Sequence, residues 1–203
     1  MPTVTFNNLP EEKKNIIIEA SIKEFKRVLL TDASINKIIK DANISRGSFY
    51  TYFKDINDLY EYSLNNYKEK IIKIIKQAIK ETNGDLFETT KKSYNKILNL
   101  CSKDKQLFKN ICLNFNYNVS IRNKMYEENI ESKYKTIELI SKINKEKLNI
   151  KTEEELFYII DIIIGIVMRG LIDLYMDKEK EETIKEKLDK QLEILKRGIY
   201  KED

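Results

Sequence analysis

Residues 44–53 read ISRGSFYTYF, a run unlike the Ile-, Lys-, Glu- and Asn-rich chain of 203 residues around it. Four rings, Phe49, Tyr50, Tyr52 and Phe53, stand beside Gly47, one of five glycines, and Arg46, one of five arginines. On a helix, Phe49 and Phe53 lie four apart and share a face, with Tyr50 adjacent to Phe53. That face can pack, while Arg46, Gly47, Ser48 and Tyr52 point largely elsewhere. The run therefore reads as a short helix capped by Ser45, with an anchored face and a presented face.

Immediately upstream, Ile35, Ile38, Ile39 and Ala42 follow the i, i+3, i+4, i+7 rule, so SINKIIKDA is a second short one-sided helix with Ser34 at its N-cap. Asn43 and Ile44 make the tight turn between them, Asn being tolerant of a left-handed conformation. Before TDAS (31–34), Ile17, Ala20, Ser21, Phe25 and Val28 form one face of a helix that starts near Pro10, with Glu11 and Glu12 at its positive end. Residues 1–8 read as a loose arm.

Three helices, the last two joined by a tight turn, outline a helix-turn-helix unit, whose final helix enters the DNA major groove. The presented face has the matching chemistry. Arg46 can fork onto a guanine edge or a phosphate. Gly47 lets backbone approach closely, and Ser48, Tyr50 and Tyr52 carry hydroxyls able to donate to phosphate oxygens. Ser34, at a helix N-terminus, can hold another phosphate. Residues 1–54 hold nine Lys/Arg against six Asp/Glu, a net +3 of the chain's +4.

Downstream, helical periodicity continues: about 57–82, closed by Asn83-Gly84; 85–100, opened by Asp85 and Glu88; 103–116; 120–146; then KLNIK as a linker. Thr152 with Glu155 opens an apolar helix at 152–177, and a last helix spans 179–199. The segment 156–176 is long enough to cross a bilayer, but Asp161, Arg169 and Asp173 interrupt it, which favours burial in protein. With 5 Gly and 2 Pro, a sandwich or barrel has too few turns.

Composition removes several classes of function. No histidine is present, so His-dependent triads, His zinc sites and His pH switches are excluded. No nucleophile motif or glycine-rich phosphate loop occurs, so an enzyme is not expected, nor a cofactor or metal. Cys101 and Cys112, eleven apart, read as reduced, half-buried thiols of a cytoplasmic protein, with a disulfide as the alternative. MPTVTFNNLPEEKK lacks the apolar core of a signal peptide. The 32 Ile, 32 Lys and 19 Asn reflect an AT-rich coding bias, so lysine clusters carry little information.

The run ASINKIIKDANISRGSFYTYFKDINDLY (33–60) resembles the DNA-binding region of the TetR/AcrR family of transcriptional regulators, and IIEASIKEF (17–25) resembles that family's first helix. The family reads roughly Thr-Ser-Val-x-x-Ile-Ala-x-x-Ala-Gly-Val-Ser-Lys-Gly-Thr-Leu-Tyr-x-Tyr-Phe. Ser34, Ile35, Ile38, Ala42, Ile44, Ser45, Arg46, Gly47, Ser48, Phe49, Tyr50, Tyr52, Phe53 and Leu59 take equal or similar positions. Leu29 and Asn43 stand where the family has glycines. Ile56 stands where it often has a phosphate-binding Lys, a role open to Lys54.

The resemblance implies an all-α protein of about nine helices. A helix-turn-helix DNA-binding domain (1–56) would precede a helical effector-binding and dimerisation domain (57–203). It implies a homodimeric, ligand-responsive regulator, a repressor released from palindromic double-stranded operator DNA by a small, mainly apolar effector, with no membrane partner. Ile160, Ile163, Ile164, Val167 and Leu171, with Leu188, Leu192 and Leu195, are the candidate dimer interface, since a helix apolar all round needs cover all round. Tyr94, Phe108, Cys112, Phe115 and Tyr134 could line an effector pocket, and could equally be core. Arg169 reads as an ion-pair partner of Asp173 or as an effector-binding group. The departures at Leu29 and Ile56 leave a second reading open, a helical binding or adaptor protein that keeps the fold without operator-specific function.

Overall fold

The computed structural model describes residues 2–117, 137–176 and 180–201, with backbone alone at 115–117. Regular structure among them is helical: α1 (Val4–Asn7), α2 (Glu11–Arg27), a 3-10 turn (Leu30–Asp32), α3 (Ile35–Asp41), α4 (Arg46–Tyr52), α5 (Ile56–Glu81), α6 (Leu86–Ser102), α7 (Lys105–Tyr117), α8 (Glu153–Tyr175) and α9 (Glu181–Ile199). None of these is long and apolar enough to cross a membrane. The chain forms two compact units, residues 1–70 with 104–117, and residues 71–103 with 118–203.

In the first unit, α2 buries Ile17, Ala20, Ser21, Glu24 and Phe25. The expectation of a loose arm at residues 1–8 is corrected. Thr3 caps α1, its hydroxyl accepting from the Phe6 N–H, and Phe6 is fully buried against Tyr52, Phe53 and Tyr62. One apolar ring in a polar segment is enough to seat it when a ring-lined slot awaits.

Helix α2 ends without glycine. Val28 is extended and Leu29 has φ −66°, so no left-handed residue is required. The helix-end carbonyls, which lack intrahelical partners, are met from α7. The buried Asn110 amide donates to Phe25 O (2.8 Å), Lys26 O (2.9 Å) and Val28 O (3.2 Å). Asn114 accepts from the Leu30 N–H at 3.1 Å and donates to the Tyr60 hydroxyl at 3.2 Å. Burial pushes Tyr60 up to about 12.

Two turns share one geometry. After α3, Asn43 has φ 51°, with Asn43 N–H on Lys40 O and Ile44 N–H on Ile39 O. After α5, Asn83 has φ 51°, with Gly84 N–H on Ile79 O. Each is a Schellman-type end with Asn in the left-handed position. At Gly84 a side chain is barred as well, because an added Cβ would lie 2.6 Å from Lys142 O.

In the second unit, Asp85 caps α6 through the N–H groups of Phe87 and Glu88 and accepts a hydrogen bond from Tyr200. Helix α8 turns Leu156, Ile163, Leu171, Ile172 and Tyr175 inward, and α9 turns in Ile184, Leu188 and Leu192. Thr152 caps α8 as expected, but Glu155 reaches back to the Lys151 N–H rather than to Thr152. The helix expected over 120–146 lies partly outside the described residues. Its described end stops at 140, and 141–146 form turns. Cys101 and Cys112 are free and buried.

Glu24 ties α2 to the start of α3. Its carboxylate, 5 % exposed, accepts from Arg27 at 2.7 and 2.8 Å and from the Ser34 N–H at 2.9 Å. The Arg27 hydrogen bond is the main reason its carboxyl sits below the usual range. The folded pKa is thus below the unfolded one, so the contribution is complete above about 4.3 and vanishes as pH falls through the lowered value. Glu24→Gln should cost about 1–2 kcal/mol near neutral pH, and the stability gap to the parent should narrow below about pH 4. Urea melts across pH check this.

Candidate nucleic-acid interface

Helix α4 has seven residues, RGSFYTY. Ser45 caps it, accepting from the Ser48 N–H at 3.0 Å, and its hydroxyl lies 2.9 Å from that of Ser48. Phe49 and Phe53 are fully buried and seat the helix. Arg46 is exposed, donates to the Asn36 amide oxygen at 2.7 Å across the α3–α4 turn, and lies 5.8 Å from the Tyr50 ring centroid. Arg46, Asn36 and Tyr50 thus form one exposed cluster, a planar cation flanked by an amide and a hydroxyl. At Gly47 an added Cβ would meet only the Ser45 hydroxyl, at 3.7 Å, so the fold does not need glycine there.

The two tyrosines exchange their expected places. Tyr50 is 49 % exposed, while Tyr52 is 7 % exposed. Tyr50 lies one turn beyond Arg46 and follows it outward. Tyr52 lies three residues after Phe49, on the edge of the packed face, and Phe6 closes that edge, its ring 5.9 Å away. Ser34 occupies the N-cap position of α3, but its side chain makes no capping bond. Lys54 is exposed, its N–H held by Asp58 at 3.1 Å. Asn36 was missed by sequence reasoning. The available signal was its place in the first turn of α3, next to the helix start that already drew attention to Ser34.

The other expected sites are less unified. Phe108 and Cys112 are buried in the first unit, with Phe108 edge-on to Tyr67. Tyr94 is buried in the second unit, where its hydroxyl and that of Ser93 have no hydrogen-bond partner among the described residues, and Tyr94 is pushed up to about 12 by burial. Tyr134 and the side chain of Phe115 lie outside the described residues. Arg169 is exposed and paired with Asp173 at 3.0 Å.

The expected dimer stripe is largely turned inward. Ile163, Leu171, Leu188 and Leu192 are buried within their own unit, Ile160, Val167 and Leu195 are half-buried, and Ile164 is exposed. The regular apolar spacing marks the face covered by the chain itself. The outer apolar residues are Phe157, Tyr158, Ile162 and Ile164 on α8 and Ile194 on α9.

A short helix, a left-handed turn and a second helix that exposes Arg46, Gly47 and Tyr50 while burying Phe49 define a helix-turn-helix DNA-binding protein. Residues 17–62 match the bacterial regulatory proteins of the tetR family, and residues 85–199 match the tetracyclin repressor-like C-terminal domain. The chain belongs to the TetR family of transcriptional regulators. It is similar to the uncharacterized HTH-type transcriptional regulator YuxN of Bacillus subtilis, 37 % identical over 60 residues, which span 30 % of this chain and 21 % of that protein. Two solved structures share the fold. One is a tetR family transcription regulator from Shewanella sp. PV-4 (TM-score 0.66, 14 % identity, 94 % of this chain and 99 % of that one). The other is FadR from Bacillus subtilis in complex with stearoyl-CoA (TM-score 0.64, 18 % identity, 91 % and 98 %).

Tyr52→Ala should lower stability by about 3 kcal/mol, because it empties a ring site packed by Phe6. Tyr50→Ala should change it by no more than about 0.5 kcal/mol. Denaturant titration of the two variants separates the roles.

Proposed function

We propose that the protein is a cytoplasmic, ligand-responsive repressor, not an enzyme, that binds a palindromic operator as a homodimer. The carrying observation is the exposed Arg46–Asn36–Tyr50 cluster on α3 and α4. Residues 1–56 supply DNA binding, and 57–203 supply effector binding and dimerisation. Arg46 reads a base edge or grips a phosphate. Ser34, Ser48, Tyr50 and Lys54 contact phosphates, Gly47 lets the helix backbone approach the groove, and Tyr52 serves by packing.

The dimer reading rests on α8 and α9. Tyr158, Ile162, Gly165 and Arg169 share one face of α8 at i, i+4, i+7 and i+11, and Lys187, Gln191, Ile194 and Gly198 do so on α9. An added Cβ at Gly165 or Gly198 would meet nothing within 4 Å among the described residues. Gly165, exposed in the middle of α8, costs about 1 kcal/mol relative to Ala, and close approach of a second helix explains its presence. Exposed Phe157, Tyr158, Ile162 and Ile164 need the same cover.

The effector is small and mainly apolar. FadR, of the same fold, holds stearoyl-CoA. In this chain the buried Ser93 and Tyr94 hydroxyls, without hydrogen-bond partners among the described residues, are the polar groups such an effector would meet. The effector acts by binding one of two conformations better, which lowers operator affinity.

A duplex selected by the full chain from a random-core DNA library tests the reading. Arg46→Ala should weaken binding about 5- to 150-fold, from a loss of about 1–3 kcal/mol. Gly47→Ala should fold at least as stably as the parent, Ala being the better helix former, yet bind more weakly. If Arg46→Ala binds like the parent, or no duplex is enriched, the adaptor reading takes over. Sedimentation at micromolar concentration should give twice the chain mass, shifting toward monomer for Ile162→Asp.

A further inference from the structure

We infer that the segment Thr3–Asn7 is a positioning clamp for the DNA-reading helix, with Thr3 and Phe6 as its working residues. The inference rests on the reading that α4 enters the groove. The segment lies ahead of residues 17–62, which match the family's DNA-binding region.

The clamp acts on the C-terminal end of α4. A helix leaves its last carbonyls without internal partners. In α4 the Thr3 N–H donates to Tyr52 O at 3.0 Å, and the Thr3 hydroxyl donates to Thr51 O at 2.7 Å. The same hydroxyl oxygen accepts from the Phe6 N–H at 3.3 Å, so one atom joins α1 to α4. Phe6 then fills the slot beyond, with ring centroids 5.9 Å from Tyr52, 4.7 Å from Phe53 and 5.1 Å from Tyr62.

Phe6 is fully buried, so it serves DNA only through what it packs against. Phe49 and Phe53 alone fix one side of α4 and leave it free to roll. Tyr52, closed in by Phe6, fixes a second side. Two fixed sides define the roll angle, and that angle sets where Arg46 and Tyr50 point. Base-edge hydrogen bonds depend on angle more steeply than phosphate contacts do. The clamp therefore supports discrimination between sequences more than general DNA affinity.

The test uses the full chain, the selected duplex and a duplex of equal length and composition with a scrambled core. Thr3→Val keeps the shape and removes the hydroxyl, Thr3→Ser restores it, Phe6→Ala opens the slot, and Arg46→Ala is the control for the reading. Thr3→Val and Phe6→Ala should reduce the selected-to-scrambled affinity ratio about tenfold or more, with the salt slope unchanged, and Thr3→Ser should match the parent. Equal losses on both duplexes would mean fewer folded molecules only and would overturn the clamp. So would a shallower salt slope, which would make the segment a phosphate contact, or a Thr3→Ser variant as impaired as Thr3→Val. Should Arg46→Ala leave the ratio intact, the groove reading itself fails. A ratio that depends on Arg46 but not on Thr3 or Phe6 removes the clamp alone.

Discussion

A helix of two turns cannot hold itself in place. Nucleation is unfavourable, and isolated helices shorter than about 12 residues are marginal in water. Helix α4 has seven residues, so its existence and its direction are both set by neighbours. Ser45 closes its first turn, Phe49 and Phe53 fix its buried side, and the segment around Phe6 closes its far end. The aromatic density of 49–53 follows from this constraint, since few residues must supply much contact area.

The same economy governs the end of α2. A glycine in the left-handed conformation would let the helix satisfy its own carbonyls. Here the chain continues through Val28 and Leu29, and Asn110 reaches in from α7 instead. An interaction local in sequence is replaced by a distant one, made by α7, which belongs to the same unit. The buried amides of Asn110 and Asn114 accordingly have several partners each, the condition for burying polar groups without large cost.

The helix limits were legible because they depend on neighbours in sequence. Ser45, Asp85 and Thr152 cap as their spacing indicated, and Asn43 and Asn83 take the left-handed turns. The family was legible for the same reason, since residues 33–60 carry its pattern in one run. What the sequence concealed are contacts between distant segments. Tyr52 turns inward because Phe6, far upstream, covers it. Ser34 makes no capping bond with its side chain, and its own N–H is held by the Glu24 carboxylate from a distant helix. Periodicity found the apolar stripe of α8 but not its occupant, and the chain itself covers Ile163 and Leu171.

Asn43 also acts on the chain before it folds. Glycine at that turn would adopt φ 51° without steric cost, but it would leave the unfolded ensemble with more conformations to lose. Asparagine accepts some strain in the folded turn and narrows the denatured ensemble. The joint between α3 and α4 is thereby favoured from the unfolded side of the equilibrium, against a small strain on the folded side. Part of its stability is invisible in any list of native contacts, because it resides in the states the unfolded chain no longer visits.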